Sequence, residues 1–104
     1  MSHKIPEHYE KVKKYHPDYL EAVERLGIIA KKSGPLDEKA TQLIQLAASI
    51  AIKSEGAVHS HTRRALDAGV TKEEIRQSVL LLTNTLGFPS AMAGMSWVND
   101  ILDK

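Results

Sequence analysis

The chain has 104 residues, no cysteine, and 14 Lys and Arg against 13 Asp and Glu, which gives a formal net charge of +1 at pH 7. This length corresponds to one domain with a modest hydrophobic core, and the near-neutral charge provides no general attraction to nucleic acid or to anionic membranes. Without cysteine, disulfides, thiolate nucleophiles and cysteine-based metal sites are excluded.

The first half of the chain has the pattern of two helices. Over residues 17–32, apolar side chains recur at steps of three and four, which predicts an amphipathic helix that ends at 33–35, where glycine and proline follow a serine. The next helix opens at Asp37, a typical N-cap residue, and is apolar on nearly all sides over 43–52. We expect that helix to be central, or to be covered by a partner subunit.

The helix that carries His61 is predicted over about residues 57–68. Glu55 and Gly56 indicate a break or kink before it. Gly69 ends it, because glycine adopts the left-handed conformation that closes a helix at low steric cost.

Two further helices complete the pattern. Thr71 and Glu74 have the spacing of a capping box at the start of a helix that continues to about residue 86. Residues 87–89 then separate it from a last, apolar helix. Almost nothing in the sequence has the alternation of a strand, so we predict an all-α fold, a single-domain helical bundle of about five to six helices.

The amino terminus predicts a cytoplasmic protein. Residues 1–8 are polar and contain no apolar signal core. No apolar run approaches the roughly 20 residues that a membrane-spanning helix needs. We therefore expect neither a membrane nor a nucleic acid as a partner.

His61 is the residue best suited to chemistry. An imidazole has an ordinary pKa of about 6.5, so it can act as a general acid or base near neutral pH, or donate a hydrogen bond to a carboxylate substrate. Helical spacing places Ser54 on the same face if the helix is continuous through Gly56. The alternative is a structural histidine, partly buried and bonded to a backbone carbonyl.

His59 and Glu55 are candidate accessory groups. His59 lies about 200° around a helix from His61, so the two rings are not expected to bind one metal, and we predict no metal site and no cofactor. Glu55 is either a carboxylate partner for a histidine or a solvated charge at the helix end.

Arg63 and Arg64 are candidate anchors for a substrate carboxylate. The planar guanidinium matches a carboxylate in bidentate fashion. Adjacent residues of a helix point about 100° apart, so at most one of the two is expected to share a crevice with His61. The alternative is a surface pair facing Asp67 or Glu73.

Four segments in order resemble the carboxymuconolactone decarboxylase and alkylhydroperoxidase-D-like family. They are Leu36-Asp-Glu-Lys-Ala-Thr-Gln42-Leu-Ile-Gln-Leu-Ala47, His61-Thr-Arg-Arg-Ala65, Ala68-Gly-Val-Thr-Lys-Glu-Glu-Ile75 and Gly87-Phe-Pro-Ser-Ala91. The resemblance implies one family domain over 1–104, with an amino-terminal helical part at 1–34 and the family core at 36–103. It also implies assembly as a trimer or hexamer, and the excess of apolar helix surface independently favours oligomerisation without deciding between the two.

The chain departs from the peroxidase branch of that family where the chemistry occurs. Many members carry Cys-x-x-Cys-x-x-x-His ending at the position of His61, and the two cysteine positions fall on Ser54 and Ala57. The glutamate of the peroxidase proton relay falls on Gln42, whose amide cannot exchange a proton at physiological pH. We predict that thiol-dependent peroxidase activity is absent.

The resemblance to the decarboxylase branch implies cofactor-free acid–base chemistry, a decarboxylation or isomerisation of a small carboxylated molecule. In this hypothesis His61 transfers the proton, with Glu55 or His59 as an accessory group. Arg63 or Arg64 holds the substrate carboxylate, and Ser54 and Gln42 contribute to substrate binding. The alternative is a catalytically inactive, oligomeric protein of the same fold that binds a small ligand or serves as an interaction module.

Overall fold

The computed structural model describes residues 7–104, which form seven helices and no strand. The helices are α1 Glu7–Tyr15, α2 Pro17–Lys31, α3 Glu38–Ala51, α4 Glu55–Asp67, α5 Lys72–Leu80, α6 Thr83–Leu86 and α7 Phe88–Leu102. The prediction of an all-α fold is confirmed. The helices fall into two compact units, one that ends at Leu36 and one that covers Asp37–Lys104.

The first unit contains α1 and α2. Pro17 occupies the start of α2, where a missing backbone N–H costs nothing. The Tyr9 hydroxyl donates a hydrogen bond to the Glu24 carboxylate and so links the two helices. Neither helix has a buried residue, and most of the apolar side chains of α2 are exposed.

The core of the second unit lies between α3, α4, α5 and α7. Its fully buried members include Leu46, Ile50, Val58, Ile75 and Val98. The N-cap predicted for α3 is confirmed, because the Asp37 carboxylate accepts a hydrogen bond of 2.8 Å from the backbone N–H of Ala40. Helix α3 is central to this unit, as expected, since it contacts α4, α5 and α7.

The turn between α3 and α4 lies earlier than predicted. Helix α3 ends at Ala51 and α4 begins at Glu55, so Gly56 is inside the first turn of α4 rather than at a break. Lys53 has a left-handed backbone, with φ of 58°. The N–H groups of Lys53 and Ser54 donate to the carbonyls of Ile50 and Ser49, the Schellman pattern that ends a helix.

The end of α4 agrees with the prediction. Gly69 has φ of 93°, and the next N–H, that of Val70, donates to the carbonyl of Ala65 at 2.9 Å. Thr71 and Glu74 form the predicted capping box at the start of α5. The side chain of each accepts a hydrogen bond from the backbone N–H of the other.

The single helix predicted from Thr71 to about residue 86 is wrong, because the chain is interrupted after Leu80. At Leu82 the N–H donates to the carbonyl of Val79, three residues back, so the helix tightens and a new turn, α6, begins. Leu82 and Leu86 both pack against the core. No glycine or proline marks this interruption.

Helix α7 begins after Gly87, whose φ of 96° sets the predicted break. Arg76 of α5 ties the end of α7 to the core, donating to Asn99 at 3.1 Å and to Asp103 at 2.7 Å. No helix within residues 7–104 combines the length and apolar composition needed to cross a membrane.

Candidate acid–base site

Helix α4 carries the candidate site and is held by its apolar side. Val58, Thr62 and Ala65 are buried at steps of three and four residues, which fixes the rotation of the helix. The Thr62 hydroxyl donates to the carbonyl of Val58 at 2.7 Å, so this polar side chain is satisfied inside the core. His61 comes three residues after Val58 and four before Ala65, so it borders this buried side, and it is itself half-buried.

His61 is oriented by two residues of α3. Its Nδ1 lies 3.1 Å from Oε1 of Gln42, and Nε2 of Gln42 donates to a carboxylate oxygen of Glu38 at 3.1 Å. Glu38 and Gln42 are four residues apart, so they lie on one face of α3. Only 1% of the Gln42 surface is exposed, which leaves this amide little freedom to turn.

The Glu38–Gln42–His61 chain determines which nitrogen of the imidazole carries the proton. A carboxylate only accepts hydrogen bonds, so the NH₂ group of Gln42 must face Glu38 and its oxygen must face His61. The oxygen can only accept, so His61 holds a proton on Nδ1 in both its neutral and its cationic form. The second proton of the imidazolium is therefore exchanged at Nε2, as a general acid or base requires.

His59 belongs to a different cluster. Its Nε2 lies 2.9 Å from a carboxylate oxygen of Asp100 on α7 and 4.0 Å from one of Glu55, four residues earlier on α4. His61 is bonded toward α3 and His59 toward α7, as their helical offset predicted. The accessory roles in the reaction predicted for Glu55 and His59 stay predictions. Asp100 was not identified from the sequence, because its 41-residue separation from His59 carries no local pattern.

The arginines differ in position along α4. Arg64 is three residues after His61 and is exposed, and Arg63 is four residues after His59 and is half-buried. Residues at steps of three and four share a helix face, so Arg64 lies on the side of His61 and Arg63 on the side of His59. Which of the two arginines accompanies His61 stays a prediction.

Ser54 is the N-cap of α4, the position that the first cysteine of the peroxidase pattern would occupy. Its hydroxyl makes no side-chain capping bond.

A shallow groove of about 340 Å³ runs along α2 between Asp18 and Ile29, and none of the predicted site residues lines it.

The fold and the site define a small all-α protein in which a half-buried histidine of α4 is bonded to a buried amide of α3. Residues 17–100 match the carboxymuconolactone decarboxylase family, and the chain belongs to that family. It is a member without cysteine.

Two relatives show how the similarity is distributed. An uncharacterized protein of Methanocaldococcus jannaschii is 33% identical over 90 residues, which cover 86% of this chain and 84% of that protein. The nitrosuccinic acid decarboxylase of Metarhizium robertsii is 35% identical over 82 residues, 75% of this chain. The aligned part is 57% of that enzyme, so the chain spans little more than half of its length.

Proposed function

We propose that this protein is a cofactor-free lyase or isomerase that acts on a small carboxylated molecule, with decarboxylation as the principal reaction. The observation that carries the proposal is the hydrogen bond from His61 Nδ1 to the buried amide of Gln42, which directs proton transfer to Nε2. The similarity to a nitrosuccinic acid decarboxylase supports the reaction class.

The proposed reaction needs one proton donor. The bond between the carboxylate carbon and the adjacent carbon breaks, CO₂ leaves, and the electron pair stays on the adjacent carbon. A carbonyl or nitro group beside that carbon spreads the charge as an enolate or nitronate. The His61 imidazolium then donates its Nε2 proton to the carbon and is reprotonated from water.

A second carboxylate of the substrate would be held by an arginine. Arg64 is favoured over Arg63, because it lies on the side of α4 that carries His61. Its guanidinium would bind the carboxylate that is retained and would leave the departing one away from positive charge. Ser54, at the amino end of the same helix, is proposed to contribute a hydroxyl to the substrate.

Gln42 is assigned to positioning rather than to direct contact with the substrate. Its oxygen and its NH₂ group are both hydrogen-bonded within the protein, to His61 and Glu38. An amide at this position cannot relay protons. The proposal therefore retains the prediction that thiol-dependent peroxidase activity is absent, since the chain has no thiolate to attack a hydroperoxide.

The test is CO₂ release from small nitro- and keto-dicarboxylates, starting with nitrosuccinate. We expect His61→Ala to lower kcat by about 10²- to 10⁴-fold, the usual contribution of a positioned acid or base. His8→Ala, which removes an exposed histidine of α1, is the matched control and should leave turnover unchanged. Circular dichroism of each variant verifies that the helices remain.

Two outcomes would contradict the proposal. Turnover that survives His61→Ala in a folded protein would remove His61 from the reaction. Substrate binding without CO₂ release or isomerisation, for every compound tested, would favour the non-enzymatic alternative of a small-ligand-binding protein.

A further inference from the structure

The cluster of Glu55, His59 and Asp100 lies outside the Glu38–Gln42–His61 chain, and the proposed reaction does not use it. One ligand atom from each residue, a ring nitrogen and two carboxylate oxygens, lies within 4.8 Å of the other two. Glu55 and His59 come from the first half of α4, and Asp100 comes from the second half of α7. Three donors of metal-binding type thus converge from two packed helices.

The electrostatics of this cluster favour a cation. Among the described residues, His59 is the one basic side chain within ion-pair distance of either carboxylate. With the imidazole neutral, two negative charges therefore face one another without a lysine or arginine between them. A divalent cation would neutralise both and would replace the proton on His59 Nε2.

The distances fit a small transition-metal ion after modest adjustment. Zn²⁺ bound at about 2.0–2.2 Å holds tetrahedral ligand atoms roughly 3.3 Å apart. The contact of 2.9 Å from His59 to Asp100 would open slightly, and the contact of 4.0 Å to Glu55 would close. Both carboxylates can make these shifts, because their side chains are 48% and 59% exposed.

The His59 ring supplies the fixed part of the site. Its side chain is only 22% exposed, and α4 and α7 pack against each other around it. An imidazole with two carboxylates is a ligand set that suits Zn²⁺ better than Mg²⁺, which prefers oxygen ligands alone. Three protein ligands also leave a fourth position for water or for an anionic ligand.

We propose that Glu55, His59 and Asp100 form a binding site for one divalent transition-metal cation, with Zn²⁺ as the best-matched ion. The site ties the amino-terminal turn of α4 to the carboxyl-terminal half of α7. It lies apart from the Glu38–Gln42–His61 chain, in which Nδ1 of His61 is bonded to Gln42 of α3. The proposal differs from the expectation of no metal site, which rested on the helical offset between His59 and His61, because Asp100 reaches His59 from another helix.

Isothermal titration of chelator-treated full-length protein with zinc chloride tests the site. We expect one Zn²⁺ per chain, and His59→Ala and Asp100→Asn should each weaken the affinity by roughly 10- to 100-fold or more. Glu55→Gln should weaken it less, because Glu55 makes the longest contact. His16→Ala removes an exposed histidine elsewhere and is the matched control with unchanged affinity.

Thermal unfolding gives a second measurement that does not depend on activity. Zinc should raise the Tm of the unsubstituted protein and of His16→Ala, but not that of Asp100→Asn, whose side chain is at the surface. Zinc binding that is equally strong in His59→Ala and Asp100→Asn would overturn the proposal, as would no binding at millimolar zinc. If chelation abolishes turnover while the zinc site is confirmed, the cofactor-free reaction fails and the metal site stands.

Discussion

At the residue scale, the orientation of His61 depends on one buried amide. Gln42 presents its oxygen to the imidazole because its nitrogen is committed to Glu38. An amide in this place holds the ring without competing for its proton, whereas a carboxylate would stabilise the imidazolium. The amide of Gln42 is therefore compatible with the proton transfer that we propose for His61.

We predict that Gln42→Leu lowers kcat by roughly 10- to 100-fold with little change in KM, by analogy with the loss of a partner that orients a metal-ligating histidine. Leucine has a similar volume but cannot accept from Nδ1, so the ring loses its fixed orientation. Gln42→Glu keeps an acceptor for Nδ1 and should therefore have a higher kcat than Gln42→Leu. A purely structural role of Gln42 would not explain that difference. Steady-state kinetics on each variant is the measurement.

Gln45→Leu is the matched control for this prediction. Gln45 is on the same helix, and its buried side-chain oxygen accepts no hydrogen bond from any described residue. Removal of an unsatisfied buried polar group should leave kcat unchanged and should not lower the free energy of unfolding. An equal loss of activity in both variants would show that α3 packing, not orientation of His61, is responsible.

At the element scale, the capping box of α5 makes part of the stability depend on pH. The hydrogen bonds from the Thr71 backbone and side chain lower the pKa of the Glu74 carboxyl below its ordinary value, and Lys39 adds a smaller effect of the same sign. Because the ionised form is favoured in the folded state, its contribution is complete above the ordinary carboxyl pKa. It is lost as the pH falls through the lowered value.

We predict that Glu74→Gln removes this pH dependence. Glutamine can still accept from the Thr71 N–H but cannot ionise. The difference in urea midpoint between the unsubstituted protein and Glu74→Gln should therefore be present near about pH 7 and shrink toward about pH 3. Glu73→Gln makes the same charge change in the same helical turn, outside the capping box, and is the control. A difference that grows as the pH falls would contradict the prediction.

A second feature at this scale is the close packing of α7 on α3. A Cβ atom at Gly94 would lie 2.7 Å from Cγ2 of Ile50, which is closer than van der Waals contact allows. Ile50 is buried and its branched side chain is stiff, so it cannot move aside. Glycine is therefore required here by the distance between helices rather than by its own backbone conformation.

We predict that Gly94→Ala lowers the free energy of unfolding by about 1–3 kcal/mol, the usual cost of overpacking. This exceeds the gain of up to about 1 kcal/mol that alanine brings to a helix interior. Gly56→Ala in α4, where the new methyl group meets open space, should be neutral or stabilising and is the matched control. Urea unfolding measures both, and a Gly94→Ala protein as stable as the parent would show that the helices separate at little cost.

At the scale of the whole molecule, the exposed apolar side chains favour self-association. The first unit exposes Leu26 and Ile29 on α2, and the second unit independently exposes Ile44 and Phe88. Apolar patches of this kind mark protein contacts. We propose a homo-oligomer, as the family resemblance and the pattern of apolar helices led us to expect.

We predict that analytical ultracentrifugation at micromolar concentration shows a species larger than the monomer. Leu26→Asp should shift it toward a smaller species, because a buried carboxylate in an apolar interface is strongly unfavourable. Lys13→Asp places an aspartate at an exposed position of α1 instead and should leave the assembly intact. A parent protein that sediments as a monomer would refute this proposal.

Elements with a local physical cause were predictable. The Asp37 N-cap, the helix end at Gly69 and the Thr71–Glu74 capping box are all made by residues within five positions of one another, so their hydrogen bonds can be inferred from spacing alone. The divergence of His59 and His61 followed in the same way from the pitch of a helix. These local rules were sufficient for the all-α fold, whereas the choice of His61 as the principal candidate, with His59 as an accessory group, also used the family resemblance.

Other features were decided only when distant segments packed together. Lys53 adopts the left-handed conformation that a glycine would accept more readily. The interruption at Leu82 has no glycine or proline, and packing of Leu82 and Leu86 against the core outweighs local preference there. The pairing of His61 with Gln42 joins residues 19 apart, and that of His59 with Asp100 joins residues 41 apart. Contacts at such separations depend on how α3, α4 and α7 stack, and helical periodicity shows which face is apolar but not which helix will cover it.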